Sequence, residues 1–405
     1  MIVGKTGADL HFLTGGFYSM LDRRSSVSTF FFFYFAFVGL FSPYLSLWLN
    51  FRGFTPTEIG ILMSPMQWTR IIGPGFWGTL ADYGKRFVSI KGIMVTAALL
   101  ALLCSLLLFK NFDFFLLLLI LISLTFFLSG LTPLSEVIAL RVSKKIACNY
   151  GDLRVWGSVG FLVSVLAYGI LIDTFGTENI PIFLFISLSF VLLSSILING
   201  ETDGTEKVET IVIRELFNSK VRLFLIASLF MIMSHAVLYT FFSLWLKSVG
   251  YSKIEIGSIW AIGVLSEIVF FLNQDRILSR FKNLMFVWFL CFVVAVVRFL
   301  VFFCSDGLLV LLVFGQLLHA ITFGLHHVTS IMLIANLFPD SAKAIGQSSY
   351  TIASYGVGGS LGGVFSGLIW EEFLPDSIFV FASVVAFLGV LVAWRLFRRY
   401  KGEWD

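Results

Sequence analysis

The chain has 405 residues, of which 58% are hydrophobic and only 13% charged, whereas soluble domains carry roughly 25% charged residues. So few charges cannot cover a water-exposed surface, which excludes a soluble enzyme. The formal net charge of +4 is not gathered into a basic groove or an arginine-rich arm, so no nucleic-acid partner is expected. Cys104, Cys148, Cys291 and Cys304 are scattered without paired spacing, so they signal neither a disulfide framework nor a metal site, and no cofactor is expected.

Residues 1–25 have mixed polarity and no clear period, and they read as a cytoplasmic N-terminal arm in which Met20 is an alternative start. Beyond it, apolar runs of about 20 residues recur, the length a helix needs to cross a bilayer that cannot satisfy backbone amides. Such runs are predicted at 27–49, 57–80, 87–108, 112–140, 153–172 and 180–198, then at 223–246, 254–274, 284–304, 307–336, 343–370 and 377–397. The first run is too long for a cleavable signal peptide and serves as the targeting signal itself. Residues 26–198 are thus a six-helix N-terminal bundle and 223–397 a six-helix C-terminal bundle. A polar cytoplasmic loop, 199–222, joins them, and 398–405 form a cytoplasmic tail. The predicted fold class is an all-α membrane protein with twelve transmembrane helices.

The charges orient these spans. Of 28 Lys and Arg, three (Arg70, Arg154 and Arg298) lie inside spans, four (Arg52, Lys110, Lys247 and Lys253) fall on one side, and the remaining twenty-one fall on the other. Cytoplasmic loops carry the Lys and Arg excess, so both termini are expected in the cytoplasm and the protein in the inner (plasma) membrane.

The two bundles are linked by an internal repeat. SLWLNFRGFTPTEIG at 46–60 and SLWLKSVGYSKIEIG at 243–257 agree at eight positions with a constant offset of 197. Two six-helix halves in the same orientation, related by an axis along the membrane normal, are the arrangement of major facilitator transporters, whose substrate site lies at the midplane between the halves. After the second span, Gly78-Thr-Leu-Ala-Asp82-Tyr-Gly84-Lys85-Arg86 resembles the signature of that superfamily. There the glycine permits close helix approach and the acid and bases latch helix ends. Tyr83 stands where a basic residue is usual, and Asp82 and Gly84 are one residue closer than usual, which implies a weaker latch. Gly358, Gly359, Gly362, Gly363 and Gly367 give the eleventh span small-xxx-small spacing for close packing in lipid.

Ionisable residues inside spans are costly and are functional candidates by default. They are Arg70, Glu136, Arg154, His235, Glu267, Arg298, His319, His326 and His327. Glu136 and Arg154 flank one cytoplasmic hairpin at similar depth, so an ion pair is expected, either binding substrate or only joining two helices. Gly130 and Pro133 mark the fourth span as irregular, as a cavity wall often is. Arg154, Ser158 and Phe161 share a face of the fifth span. Since His326 and His327 are neighbours on a helix, at most one faces inward.

The motif NYGDLRVWGSVG at 149–160, with Glu136 before it and Glu267, Arg298 and His319 after it, resembles the proton-coupled sugar permease branch of the superfamily. Closer still is the likeness to the phenylpropionic acid permease family, carried by Tyr150-Gly151, Arg154-Val-Trp-Gly-Ser158, Ser234-His235-Ala236, Gly250-Tyr251-Ser252, Glu267 and Leu318-His319 over residues 28–395. The charges within spans, the shared face, the repeat and the resemblance together give a candidate substrate-binding set of Arg70, Glu136, Arg154, Ser158, Phe161, His235 and Tyr239, and a proton-coupling set of Glu267, Arg298, His319 and His327. Lactose permease-like proteins have a carboxylate one turn after the tenth-helix histidine, but here Thr322 stands there, which leaves Glu267 or Glu136 to carry the proton. An arginine moving toward or away from a buried carboxylate changes its hold on a proton, and a histidine can relay it.

The offset of 197 takes Arg70 to Glu267, each twelve residues after the matched Glu58 and Glu255, or roughly 18 Å into the membrane at about 1.5 Å per residue. The pair is expected to flank the substrate from opposite halves unless Arg70 is held by a neighbouring acid. The expected function is a monomeric proton symporter importing a small organic solute, an aromatic carboxylate such as 3-phenylpropionate, by alternating access. A sugar or nucleoside symporter, a drug exporter, and a membrane enzyme or channel are the competing readings.

Overall fold

The computed structural model describes residues 8–83, 89–199, 218–339 and 342–399, and regular structure among them is helical throughout. Among the described residues eleven helices are long and apolar enough to cross a membrane: Arg23–Phe51, Ile90–Leu107, Phe114–Ile146, Tyr150–Phe175, Thr177–Leu197, Ser219–Ser248, Lys253–Leu278, Leu284–Phe303, Leu309–Leu337, Ile345–Glu372 and Ser377–Arg399. The twelfth is the second span, divided into Pro56–Met63 and Pro65–Tyr83 at Ser64. Its apolar run is short because Pro65 interrupts the backbone ladder, and because Gln67, Thr69, Arg70, Gly73 and Pro74 occupy its middle. The helix of the first span begins at Ala8, inside the segment read as an arm.

The repeated motif has a physical reason at each shared position. Gly53 and Gly250 turn the chain with φ of +84° and +99°, which an L side chain rarely adopts. Thr55 and Ser252 then cap the next helix, and Glu58 and Glu255 complete a capping box at each start. Repeat-equivalent residues thus build the same first turn in the second and eighth spans.

Within each half the first span of the repeat packs against the fifth and sixth, so span 1 lies on spans 5 and 6 and span 7 on spans 11 and 12. The halves meet along two seams, spans 5 with 8 and spans 11 with 2. At the face where spans 2 and 8 begin these seams are tight. A Cβ on Gly169 would lie 2.7 Å from the Lys253 carbonyl oxygen, and one on Gly367 2.5 Å from that of Pro56. Both glycines therefore let a backbone lie directly on a helix, in equivalent places of the two halves. Tyr44 of span 1 donates to the Val165 carbonyl of span 5 at 2.6 Å and reaches across the first seam to the Lys253 carbonyl at 3.3 Å. Outward from the bundle, Ile182, Ile186, Phe190 and Leu193 of span 6 are among many exposed large apolar residues. Their helical spacing makes an apolar face suited to lipid.

Candidate functional site

Between the halves lies a cavity of about 620 Å³. The N-terminal half contributes Tyr34, Phe35, Phe37, Val38 and Phe41 from span 1, Thr69 and Arg70 from span 2, Thr132 and Glu136 from span 4, and Arg154 from span 5. The C-terminal half contributes His327 and Ile331 from span 10 and Gln347, Ser348, Tyr350, Thr351 and Tyr355 from span 11. The cavity reaches toward the face where span 11 begins and span 12 ends at Arg399, where Gln347 and Ser348 are exposed. Toward the opposite face only a small void continues it, lined by Ser42, Ser64, Gln67 and Tyr239. Beyond that void the glycine-packed seams close the path.

Arg70 is half-buried, and among the described residues no carboxylate lies within 4.0 Å of it. Its guanidinium instead lies over the ring of Tyr355, 5.4 Å from the centroid, a contact from the N-terminal half to the C-terminal half. A neighbouring acid is therefore not what holds Arg70. Arg154 likewise sits over an aromatic face, 4.0 Å from the Phe35 centroid and 5.5 Å from that of Phe31. The direct ion pair expected between Glu136 and Arg154 does not form within 4.0 Å. Both line the cavity and are in electrostatic reach of each other, but the face of Phe35 has taken the place of the acid beside Arg154.

The C-terminal half holds a second polar group of residues behind the cavity wall. Arg298, on span 9 and fully buried, donates from Nε to the Gly315 carbonyl at 2.8 Å, from Nη2 to Gln316 Oε1 at 3.0 Å, and from Nη1 to Thr322 Oγ1 at 2.9 Å. Its Nη1 also reaches His319 Nδ1 at 3.2 Å, and His319 Nε2 lies 3.4 Å from Glu267 Oε2. An arginine can only donate, so His319 Nδ1 accepts, and the proton on Nε2 points at the carboxylate. His235 is fixed in the same way: Nδ1 donates to the Met231 carbonyl at 2.9 Å, leaving Nε2 to accept from Thr322 at 3.1 Å or Arg298 at 3.3 Å. The network satisfies each ring with a single proton and connects His235, Arg298, His319 and Glu267 across four spans.

Three π-helical turns, at Leu238–Phe242, Ala320–Leu325 and Ile352–Gly358, carry Tyr239, Thr322 and Tyr355. Such turns insert a residue into the α register and recur at functional sites. All three lie in the C-terminal half.

Other expected residues are placed apart from the cavity. Ser158 and Phe161 do not border it, and Phe161 packs against span 1, where a Cβ on Gly39 would lie 2.9 Å from its carbonyl oxygen. His235 is wholly buried in the arginine network, and Tyr239 borders the small void and stacks on Trp260. Glu267 and Arg298 are joined through His319 rather than directly, and Arg70 and Glu267 do not line the cavity as a pair. His327 faces the cavity, while His326 packs between Trp288 and Phe292. Gly78 is not a point of close helix approach, since a Cβ there would meet nothing within 4 Å. The tight contact lies elsewhere on that span, where Trp77 packs on the backbone at Gly130 and donates to the Phe126 carbonyl. The Asp82 side chain and Gly84, Lys85 and Arg86 lie outside the described residues. The reading of ionisable groups alone missed Tyr34, Thr132, Gln347, Thr351 and Tyr355. The four-residue spacing of Gln347, Thr351 and Tyr355, one polar face of a helix, was the available signal.

A family model described as the MFS_1 like family matches residues 25–381. The chain is 26% identical over 363 residues to the probable 3-phenylpropionic acid transporter of Escherichia coli (strain K12), covering 88% of this chain and 93% of that protein. It is also 26% identical over 390 residues to the maltose permease of Geobacillus stearothermophilus, covering 93% and 96%. The crystal structure of the nucleoside transporter NupG matches the fold with a TM-score of 0.81 at 16% identity, over 92% of this chain and 98% of that one. With the family model reaching from the first span into the start of the twelfth, across the cavity between the halves, the chain belongs to the MFS_1 like family and is a secondary transporter of the major facilitator type.

Proposed function

We propose that this transporter is a proton symporter that imports a small aromatic monocarboxylate, of which 3-phenylpropionate is the type, into the cytoplasm. The observation that carries the reading is Arg70, a cation on the cavity wall with no carboxylate within 4.0 Å among the described residues, set among the rings of Tyr34, Phe35, Phe37, Phe41 and Tyr355. Arg70 and Arg154 against Glu136 leave the wall one positive charge in excess when His327 is neutral, which suits a monoanion. An arginine fork donates two parallel hydrogen bonds to a carboxylate in a dry site, and the aromatic rings offer an apolar wall to a phenyl ring. A volume of about 620 Å³ falls in the roughly 300–1,000 Å³ range of small-molecule sites. The name of the Escherichia coli relative agrees with this chemistry.

The Lys and Arg bias puts both termini in the cytoplasm of a cell whose inner membrane holds the protein. In that orientation the cavity is open inward and sealed outward, one end state of alternating access. Glu267 is the proton carrier in this reading, with His319, Arg298 and His235 as its relay and charge partners and His327 facing it from the cavity wall. The segment containing Gly78, Asp82, Gly84, Lys85 and Arg86 serves as the cytoplasmic latch, and one chain is the monomeric transport unit.

A sugar or nucleoside symporter is the second reading, favoured by Thr132, Gln347, Ser348 and Thr351 on the wall and by the names of the maltose and nucleoside transporters. Competition for uptake separates the two readings. Excess 3-phenylpropionate is expected to block uptake of labelled aromatic carboxylate while maltose and uridine leave it unchanged. Uptake of labelled maltose or uridine, with no uptake of the carboxylate, favours the second reading.

A further inference from the structure

We infer that Tyr355 is the residue that positions Arg70 for a carboxylate, making the Arg70–Tyr355 contact a determinant of substrate specificity. The inference rests on the assignment of Arg70 above and extends it to a residue that sequence analysis did not mark.

Three features place the Tyr355 ring where it meets the guanidinium. Tyr355 lies within the π-helical turn Ile352–Gly358, which breaks the α register of span 11 at this point. At the residue after it, Gly356, the side chain next to Arg70 packs directly on span 11, and a Cβ there would lie 2.5 Å from Ile71 Cγ1. A larger residue at 356 would have to displace Ile71, the neighbour of Arg70. Tyr350 then meets the Tyr355 ring edge-on, with centroids 6.2 Å apart and planes at 84°, which limits its rotation. Arg70 is thus held from below by a ring face, 5.4 Å from the centroid.

The chemistry follows from how a guanidinium is recognised. A ring face attracts the cation through its quadrupole and takes up none of the planar N–H fork. An acidic partner would occupy that fork and would have to be displaced by substrate. Tyr355 therefore satisfies the buried charge while leaving its donors free for a bidentate carboxylate. A neutral analogue such as an amide cannot replace this interaction with equal strength, because its oxygen carries no full charge. Tyr355 does not contact the carboxylate itself in this arrangement. It acts through Arg70 as a positioning residue.

The test compares Tyr355→Phe, Tyr355→Leu and Tyr355→Met in proteoliposomes, measuring KM for 3-phenylpropionate and the inhibition constant of 3-phenylpropanamide. Both aliphatic variants are expected to raise KM for the carboxylate about tenfold, with the amide constant changed less than twofold. Tyr355→Phe, which keeps the ring face, is expected to recover most of the lost preference. Using two aliphatic side chains of different shape keeps the test available if one of them fails to reach the membrane folded. If carboxylate and amide weaken equally, or if Phe is no better than Leu or Met, Tyr355 is only a packing residue and the inference is overturned. Arg70→Lys separates this from the parent reading. Loss of carboxylate preference in Arg70→Lys but in no Tyr355 variant overturns the inference alone. A wild-type protein with no preference for carboxylate over amide overturns both.

Discussion

The carboxylate of Asp173, at the end of span 5, receives the backbone amide of Ile254, the start of span 8, at 2.9 Å. It also receives the Lys253 amide at 3.1 Å and lies 3.4 Å from the Lys253 ammonium. The other seam repeats the arrangement, with Glu371 at the end of span 11 receiving the Thr57 amide of span 2 at 2.9 Å. Thr57 and Ile254 are equivalent at the repeat offset of 197, and Asp173 and Glu371 sit four residues after the packing glycines Gly169 and Gly367. Each carboxylate therefore caps a helix N-terminus of the opposite half, where free amides and the helix dipole favour an anion. The two latches are unequal, because Pro56 stands in place of Lys253 and offers neither an amide hydrogen nor a charge.

Asp173→Ala is accordingly expected to loosen the sealed face more than Glu371→Ala. An N-terminal cap contributes about 1 kcal/mol, which corresponds to roughly a fivefold shift in the population open to that face. The measurement is the labelling rate of a cysteine placed at Ser42, in the small void behind the seal, by a membrane-impermeant maleimide on a cysteine-free background. Labelling of Asp173→Ala at the unmodified rate would show that the carboxylate does not hold the seam.

Glu267 is expected to separate coupling from transport. In Glu267→Gln the side-chain carbonyl still accepts from His319 Nε2, now 3.4 Å from the carboxylate, but the side chain no longer exchanges a proton. Uphill accumulation driven by a pH gradient should be lost, while exchange of internal for external substrate continues. Accumulation at the unmodified level would move the proton site elsewhere, and Glu136, which lines the cavity, is then the candidate.

Glu136 and Arg154 share the cavity wall without a direct ion pair within 4.0 Å, with the arginine held over Phe35. A substrate is expected to engage both, so the double-mutant cycle of Glu136→Gln and Arg154→Gln should show a coupling of about 1 kcal/mol or more in substrate affinity. Thermal stability without substrate should show little coupling, because no close contact is lost. The opposite pattern, coupling in stability and additivity in affinity, would make the pair a structural joint between spans 4 and 5.

The architecture was legible in the sequence where the bilayer dictates it. Long apolar runs and the repeat containing Gly53 and Gly250 follow from backbone satisfaction and turn geometry, and the same motif forms both capping boxes. The site was less legible. The face drawn through Arg154, Ser158 and Phe161 assumed that a shared helix face meets the cavity. Only Arg154 does so, because span 1 packs on that surface at Gly39. Tyr355 escaped notice because an uncharged aromatic inside a span raises no energetic question, and because a π-helical turn cannot be read from periodicity. The joining of His235, Arg298 and Glu267 through His319 depends on how four spans come together, which no local pattern encodes.

The central claim is that a proton gradient drives a carboxylate onto Arg70. The most direct measurement is uptake of labelled 3-phenylpropionate into proteoliposomes with an imposed inward proton gradient, for the unmodified protein and for Arg70→Lys. Accumulation above the external concentration is expected, abolished by a protonophore and reduced at least tenfold in Arg70→Lys, which has one ammonium in place of the two-pronged fork. Accumulation that survives the protonophore and follows a sodium gradient, or uptake that Arg70→Lys leaves unchanged, would contradict the account.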